Sequence, residues 1–138
     1  MVQIRPYQDA DEAAVIALWN EERADAAPHN DPATVIRNKL SVERELFLVA
    51  VVEGAIVGTV MGGYDGHRGW VYEVMVGRTH RRQGIGSALL RRLEALLAGR
   101  GCMKVNLQVR ASNAGAVAFY ERLGYAVEER ISMGKRLY

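Results

Sequence analysis

The chain of 138 residues contains a single cysteine, Cys102. One thiol cannot make an internal disulfide, and no metal centre can be built on cysteines. The lack of a disulfide framework fits a reducing compartment, and a cytoplasmic location is expected. Long apolar runs are also missing. The apolar stretches are short and interrupted by charge, well below the roughly 20 residues that a membrane-spanning helix needs, so no membrane partner is expected. The opening residues Met1-Val2-Gln3-Ile4-Arg5-Pro6 carry no apolar core of a secretory signal. Excess charge is scarce too: the net charge of +2 is too small to point to a nucleic-acid partner. No repeat, low-complexity tract or linker is visible, and residues 1–138 are expected to form one domain.

What remains is an ordinary globular composition, 49% apolar and 25% charged, in a chain long enough to bury a core. Residues 2–5 read as a strand that stops at Pro6. Asp9 or Asp11 can cap a helix carrying Ala14, Val15, Ala17, Leu18 and Trp19. Residues 21–31 are polar and read as a loop. Pro32 then suits the first turn of a second helix with Val35, Ile36 and Leu40 as its stripe. Residues 46–52 and 55–61 read as strands joined by a Glu53-Gly54 hairpin turn. Residues 62–69 are glycine-rich and read as a wide connection to a strand over 70–76. Gly84 opens a helix with Ile85, Ala88, Leu89, Leu93, Leu96 and Leu97 on one face. Gly99-Arg100-Gly101 ends it. A strand over 104–110, a short helix over 113–123 stopped by Gly124, and a last extended segment over 125–137 complete the order β, α, α, β, β, β, α, β, α, β. That order predicts an α/β (α+β) domain with a mixed sheet and helices on both faces.

The strongest local signal is the strand over 70–76, a basic turn, and a helix opened by Gly84-Ile85-Gly86. A helix N-terminus presents unpaired N–H groups and partial positive charge, and glycine lets backbone approach a phosphate. Taken alone, the turn reads equally as a solvated basic face. No lysine follows Gly86, which excludes a Walker A loop, and Leu89 stands where a dinucleotide fingerprint needs its third glycine.

The run Val76-Gly77-Arg78-Thr79-His80-Arg81-Arg82-Gln83-Gly84-Ile85-Gly86 resembles the V-x-x-x-x-R-x-x-G-x-G signature of the GNAT N-acetyltransferase superfamily. Downstream, Leu107-Gln108-Val109-Arg110-Ala111-Ser112-Asn113, then Ala116, Ala118 and Tyr120-Glu121-Arg122-Leu123-Gly124-Tyr125, resembles that family's strand–Asn–helix–Y-E-x-L-G-[FY] segment. This second segment is also similar to bacterial enzymes that acetylate the N-terminal amine of a ribosomal protein. Residues 58–69 look like a small bacterial subgroup typified by YpeA.

The resemblance implies the GNAT fold, a mixed and mostly antiparallel sheet of about six to seven strands flanked by about four helices. It implies acetyl-CoA as cosubstrate, no metal, and transfer to a primary amine. Main-chain groups of Val74, Met75 and Val76 would pair with the pantetheine arm, and one N–H would polarise the thioester carbonyl. Arg82, Gln83, Gly84, Ile85, Gly86 and Ser87 would cradle the pyrophosphate, with Arg81 adding charge. Asn113 would hydrogen-bond the cofactor arm and Tyr120 would protonate the departing thiolate. Asn113 and Tyr120 are seven residues apart, two helical turns, and so share a face.

An amine must lose a proton to attack. The ribosomal-protein enzymes carry a glutamate before the asparagine, in a pattern L-E-V, where this chain has Gln108, and an amide cannot be a base. The remaining carboxylate on the acetyl-binding strand is Glu73, otherwise an exposed strand residue. Glu21, Glu22 and Asp25 lie where a substrate wall could recognise a cationic amine, or where a helix end is merely solvated. His67 could line an acceptor site and His80 adds polarity near phosphate. Neither is spaced with carboxylates as metal ligands are. Cys102 reads as a small buried hydrophobe. A sensor that binds acyl-CoA without transfer is the rival reading. Binding of nucleic acid through Arg78, Arg81, Arg82, Arg91 and Arg92 lacks any stacking platform. Monomer and homodimer both remain open.

Overall fold

The hairpin at Glu53-Gly54 sets the sheet. Both residues have positive φ, 49° and 79°, the pairing that a two-residue turn of matching twist requires. It joins β2 (Phe47–Val52) to β3 (Ala55–Tyr64). The computed structural model describes residues 1–21 and 27–138, so Glu22 and Asp25 lie outside the described residues. Two units are distinguished, Met1–Gln108 and Val109–Tyr138.

In the first unit, β1 (Val2–Pro6), β2, β3, β4 (Gly69–Val76) and β5 (Val105–Leu107) form a sheet in that order. Neighbours are antiparallel except β4 and β5, which are parallel and joined through α3 (Ile85–Gly99). Helices α1 (Glu12–Asn20) and α2 (Pro32–Leu40) belong to the same unit. Val15, Leu18 and Trp19 of α1 and Ile36 of α2 bury against Phe47, Val49 and Met61. Each such side chain contributes on the order of 1.5–3 kcal/mol when fully buried. Ala14 and Ala17 are exposed, because α1 presents a narrower stripe than the sequence suggests. Asp31 caps α2 by accepting from the Thr34 N–H, with Pro32 at the first turn. Asp11 does not cap α1. Its carboxylate turns back to the Gln8 N–H at 2.8 Å and to Arg5.

Alternate residues of β3 serve α3. A Cβ added at Gly58 would meet Leu89 Cδ1 at 3.0 Å, and one at Gly62 would meet Leu93 Cδ1 at 2.5 Å. This corrects the reading of residues 62–69 as a wide loop. Gly62, Gly63 and Tyr64 continue β3, paired with Val71, Trp70 and Gly69. Gly58 and Gly62 are there because leucines of α3 lie on the sheet, not because the chain must bend; Gly63 faces Glu43 and Lys39 instead. The connection shrinks to residues 65–68, where Asp65 Oδ1 accepts from the His67 and Arg68 N–H groups, both at 2.8 Å. Those two N–H groups hold the Asp65 carboxyl below the usual carboxylate range. On α3 itself Leu90 is buried and Leu96 is exposed, so the buried arc is rotated by part of a turn from the expected face. Its C-terminus is a Schellman motif: Gly101 has φ +89°, Cys102 N–H bonds Leu97 O at 3.1 Å, and Gly101 N–H bonds Ala98 O at 3.0 Å. Cys102 Sγ would lie 2.8 Å from a Cβ at Gly69, so the thiol fills space against the sheet.

The second unit is built on α4 (Ala114–Arg122). Residues 125–138 form no strand. Among the described residues the sheet therefore has five strands, and the expectation of six to seven is corrected. An extended sequence pattern signals a strand only where a partner ladder meets it, and β5 itself is three residues long, not the expected seven over 104–110.

Candidate active site

The centre of the first unit's site is an irregularity in β4. Between paired positions, β3 advances from Thr59 to Met61 while β4 runs from Met75 to Tyr72. One extra residue therefore stands in β4, a β-bulge at Glu73 and Val74. Glu73 has φ +53°, a left-handed conformation that costs an L residue about 1–2 kcal/mol. Its carbonyl oxygen accepts from Thr59 Oγ1 at 2.8 Å, and Thr59 Oγ1 accepts from Trp19 Nε1 at 2.9 Å. Thr59 and Trp19 are both fully buried.

The bulge bends β4, and the ladder to β5 covers only Gly69, Trp70 and Val71. Beyond it the β5-side edge of Tyr72, Glu73, Val74, Met75 and Val76 has no strand pairing among the described residues. Val74, Met75 and Val76 are half-buried. Such an edge accepts an extended chain of amides by main-chain hydrogen bonding.

The strand leads directly into the basic turn. Gly77 is buried beside Leu18, its N–H bonded to Val57 O at 2.8 Å. Arg78 Nη2 donates to Glu21 O at 2.6 Å, and the Arg78 N–H points to the Glu21 carboxylate. Glu21 thus ties the end of α1 to the turn, a structural duty that the sequence did not suggest. Arg81 Nε donates to Val76 O at 3.2 Å and fastens the turn to the strand. His80 Nδ1 lies 2.9 Å from Thr79 Oγ1.

Arg82 and Gly84 both have positive φ, 63° and 79°. Gly84 is the N-cap of α3, and no side chain caps the helix. The N–H groups of Ile85, Gly86 and Ser87 lie in the first turn, where a helix provides no acceptor; the first helical bond runs from Ala88 N–H to Gly84 O. Arg81, Arg82, Gln83 and Gly84 are exposed, Ile85 is buried, and Gly86 and Ser87 are half-buried. A Cβ at Gly84 would meet nothing within 4 Å, so the protein itself leaves room there for an anion. Left-handed residues ahead of an uncapped helix start make a concave array of N–H donors suited to phosphate. The residues present fit a pyrophosphate with an extended amide arm.

In the second unit, Asn113 Oδ1 accepts the Ala116 N–H at 3.0 Å and caps α4. Its amide NH2 is the group left to donate to a ligand. At the other end, Gly124 has φ +96°, Tyr125 N–H bonds Tyr120 O and Gly124 N–H bonds Glu121 O, both at 3.1 Å. The Tyr120 and Tyr125 rings meet edge-to-face at 5.8 Å. The Tyr120…Gly124-Tyr125 pattern is thus a Schellman motif with its apolar contact, and it fixes the Tyr120 ring. Burial raises the Tyr120 phenol above its ordinary value. Gln108 is exposed at the end of the first unit, after β5. His67 is exposed in the 65–68 turn.

Sequence reasoning missed Thr59 and placed Trp19 only among the apolar residues of the first helix. The available signal was Thr59 as the one polar side chain in an otherwise apolar and glycine run over 55–63.

The model of the Acetyltransferase (GNAT) family matches residues 10–125. An acetyltransferase of Yersinia enterocolitica is 48% identical over 137 residues, 99% of this chain and 96% of its own. Among solved structures, the ribosomal-protein-S18-alanine N-acetyltransferase from Escherichia coli superposes with TM-score 0.70 at 29% identity, covering 90% of this chain and 77% of that one. The PaiA N-acetyltransferase from Thermoplasma acidophilum, in complex with coenzyme A, shares the fold at TM-score 0.82 and 16% identity over 95% and 93% of the two chains.

Proposed function

The chain belongs to the GNAT acetyltransferase family and is an acyltransferase, and from that premise we propose that it moves the acetyl group of acetyl-CoA directly to a primary amine of a small molecule, peptide or protein. The observation that carries this reading is the continuity of the bulged β4 edge, without strand pairing beyond Val71 on its β5 side among the described residues, with the start of α3, where no N-cap side chain bonds the backbone.

Acetyl-CoA would supply the acetyl thioester. Main-chain groups of Val74, Met75 and Val76 hold the amide arm as an added strand, and an N–H at the bulge draws charge onto the thioester oxygen. Arg82, Gln83, Gly84, Ile85, Gly86 and Ser87 offer main-chain N–H groups to the pyrophosphate, and Arg81 adds charge. Asn113 donates from its amide NH2. Glu73 accepts the amine proton, through water, as the C–N bond forms. As the C–S bond breaks, Tyr120 gives its proton to sulfur. Burial raises the Tyr120 phenol, so it holds its proton across the working pH range and has one to give.

An acyl-CoA sensor without transfer is the second reading, and Gln108 is what favours it, since the relatives' base is absent there. A single screen separates the two. CoA release is followed with polyamines, amino acids, aminoglycosides and N-terminal peptides, for the wild type and Tyr120→Phe. Turnover with at least one amine, lowered in Tyr120→Phe, is expected. Binding of acetyl-CoA with no turnover on the whole panel overturns the enzyme reading in favour of the sensor.

A further inference from the structure

The bulge carries information about which N–H serves the acyl group. A peptide unit is planar and trans, so its C=O and N–H point in opposite directions. The Glu73 carbonyl is turned toward β3, where Thr59 Oγ1 donates to it at 2.8 Å. The N–H of the same peptide unit is that of Val74. It therefore faces away from β3, toward the edge that β5 leaves at Val71. Nothing in the local sequence favours this arrangement, since a glutamate at φ +53° adopts a backbone that L residues rarely take.

Thr59 is itself oriented. A hydroxyl has one proton to give. Trp19 Nε1 donates to the Thr59 oxygen at 2.9 Å, which commits that proton to Glu73 O. The two donors are wholly buried, so no water competes for them. The relay links α1, β3 and β4 across 40 and 14 residues of sequence.

We infer that Thr59, oriented by Trp19, is a positioning residue for acyl transfer: it locks the Glu73–Val74 peptide plane so that the Val74 N–H is aimed at the acyl carbonyl oxygen. The inference rests on the acetyl-transfer reading above and names the device that prepares its oxyanion donor. Donors of this kind act by being fixed before the reaction, and small misplacements are costly. The relay does not touch the pyrophosphate turn, so it bears on the acyl group and not on retention of CoA.

The test compares Thr59→Val, Thr59→Ser and Trp19→Phe with wild type. CoA and acetyl-CoA affinities are read by calorimetry, and kcat and KM with an amine found by the screen. Thr59→Val is expected to lose about ten- to a hundredfold in kcat, with CoA affinity within about twofold of wild type. Thr59→Ser, which restores the hydroxyl, is expected to recover most of that loss. Trp19→Phe is expected to fall between them, and combined with Thr59→Val to add little further loss. If Thr59→Val does not fold, Trp19→Phe and Thr59→Ser carry the comparison. Wild-type kcat in Thr59→Val, Thr59→Ser as impaired as Thr59→Val, or CoA affinity falling in step with kcat would each overturn the inference. A wild type inactive with every amine overturns the acetyl-transfer reading instead. The relay is then judged on binding alone: Thr59→Val must weaken acetyl-CoA severalfold relative to CoA, and an unchanged ratio overturns it.

Discussion

Arg5 and Asp11 form a two-pronged ion pair, Nη1 to Oδ2 at 2.8 Å and Nη2 to Oδ1 at 3.0 Å, that joins the end of β1 to the start of α1. The same carboxylate takes the Gln8 N–H, and its side chain is only 9% exposed. The Arg5 hydrogen bonds hold the Asp11 carboxyl below its ordinary value against the opposing effect of burial. A carboxylate depressed in the folded state contributes stability above its unfolded pKa, about 4, and loses it as pH falls through the folded one. Asp11→Asn is expected to destabilise by about 1.5–3 kcal/mol at neutral pH. In urea melts, the gap between mutant and wild type should close as the pH is lowered below about 4. A gap that stays constant down to pH 2 would contradict the pair as its origin.

Gly62 sits under Leu93, where a Cβ would come within 2.5 Å of Cδ1 and 2.9 Å of Cδ2. Gly62→Ala is therefore expected to cost about 1–3 kcal/mol by overpacking. Combined with Leu93→Ala the penalty should be less than additive, because the larger residue is gone. Strict additivity in thermal or urea unfolding would show that α3 does not press on β3 there.

Gly84 has φ +79°, but a side chain at that position would meet nothing in the protein. Gly84→Val should cost folding only its conformational strain, about 1–2 kcal/mol. Its effect on acetyl-CoA affinity should be larger, a loss of about tenfold or more by calorimetry, since in the proposed site the backbone there would come close to phosphate. Unchanged affinity would remove this turn as the pyrophosphate site.

Burial places the Tyr120 phenol above its ordinary value near 10. The protonated form is the one needed to donate, and it persists at every pH below that raised value. The kcat/KM profile should rise as the amine loses its proton and show no alkaline fall below about pH 10. Tyr120→Phe should lower kcat by about 10²- to 10⁴-fold throughout. An alkaline fall near pH 8 that disappears in Tyr120→Phe would be inconsistent with this assignment.

Glu73→Gln should slow transfer most at low pH, where the amine still carries its proton, and progressively less toward the alkaline limit. Rates are compared at saturating acetyl-CoA. A mutant-to-wild-type ratio that is flat with pH would leave the carboxylate no part as base and the bulge as Glu73's whole contribution.

Much of this could be read in the chain order of residues. Gly84 at the opening of α3, Gly101 and Gly124 after the helix ends, and the Glu53-Gly54 turn are local devices. Each depends on one residue's φ and on partners within a few positions, so the sequence alone determined them. The same holds for Asn113, whose side chain reaches only three residues on, and for the spacing that carries the family resemblance. Glu73 was identified as a candidate base from its place on the strand. That it stands in a bulge at φ +53°, with its carbonyl on Thr59 and Thr59 beneath Trp19, could not be read there, because those contacts join residues 14 and 40 positions apart. Gly62 and Gly63 looked like loop, but both pair within β3, and Leu93 explains the missing side chain at Gly62. Residues 125–138 looked extended, but a strand exists only where another strand supplies its hydrogen bonds. Local backbone chemistry was legible in the sequence, whereas bulge, relay and strand count were decided by the tertiary structure, which alone brings distant donors and acceptors within 3 Å of each other.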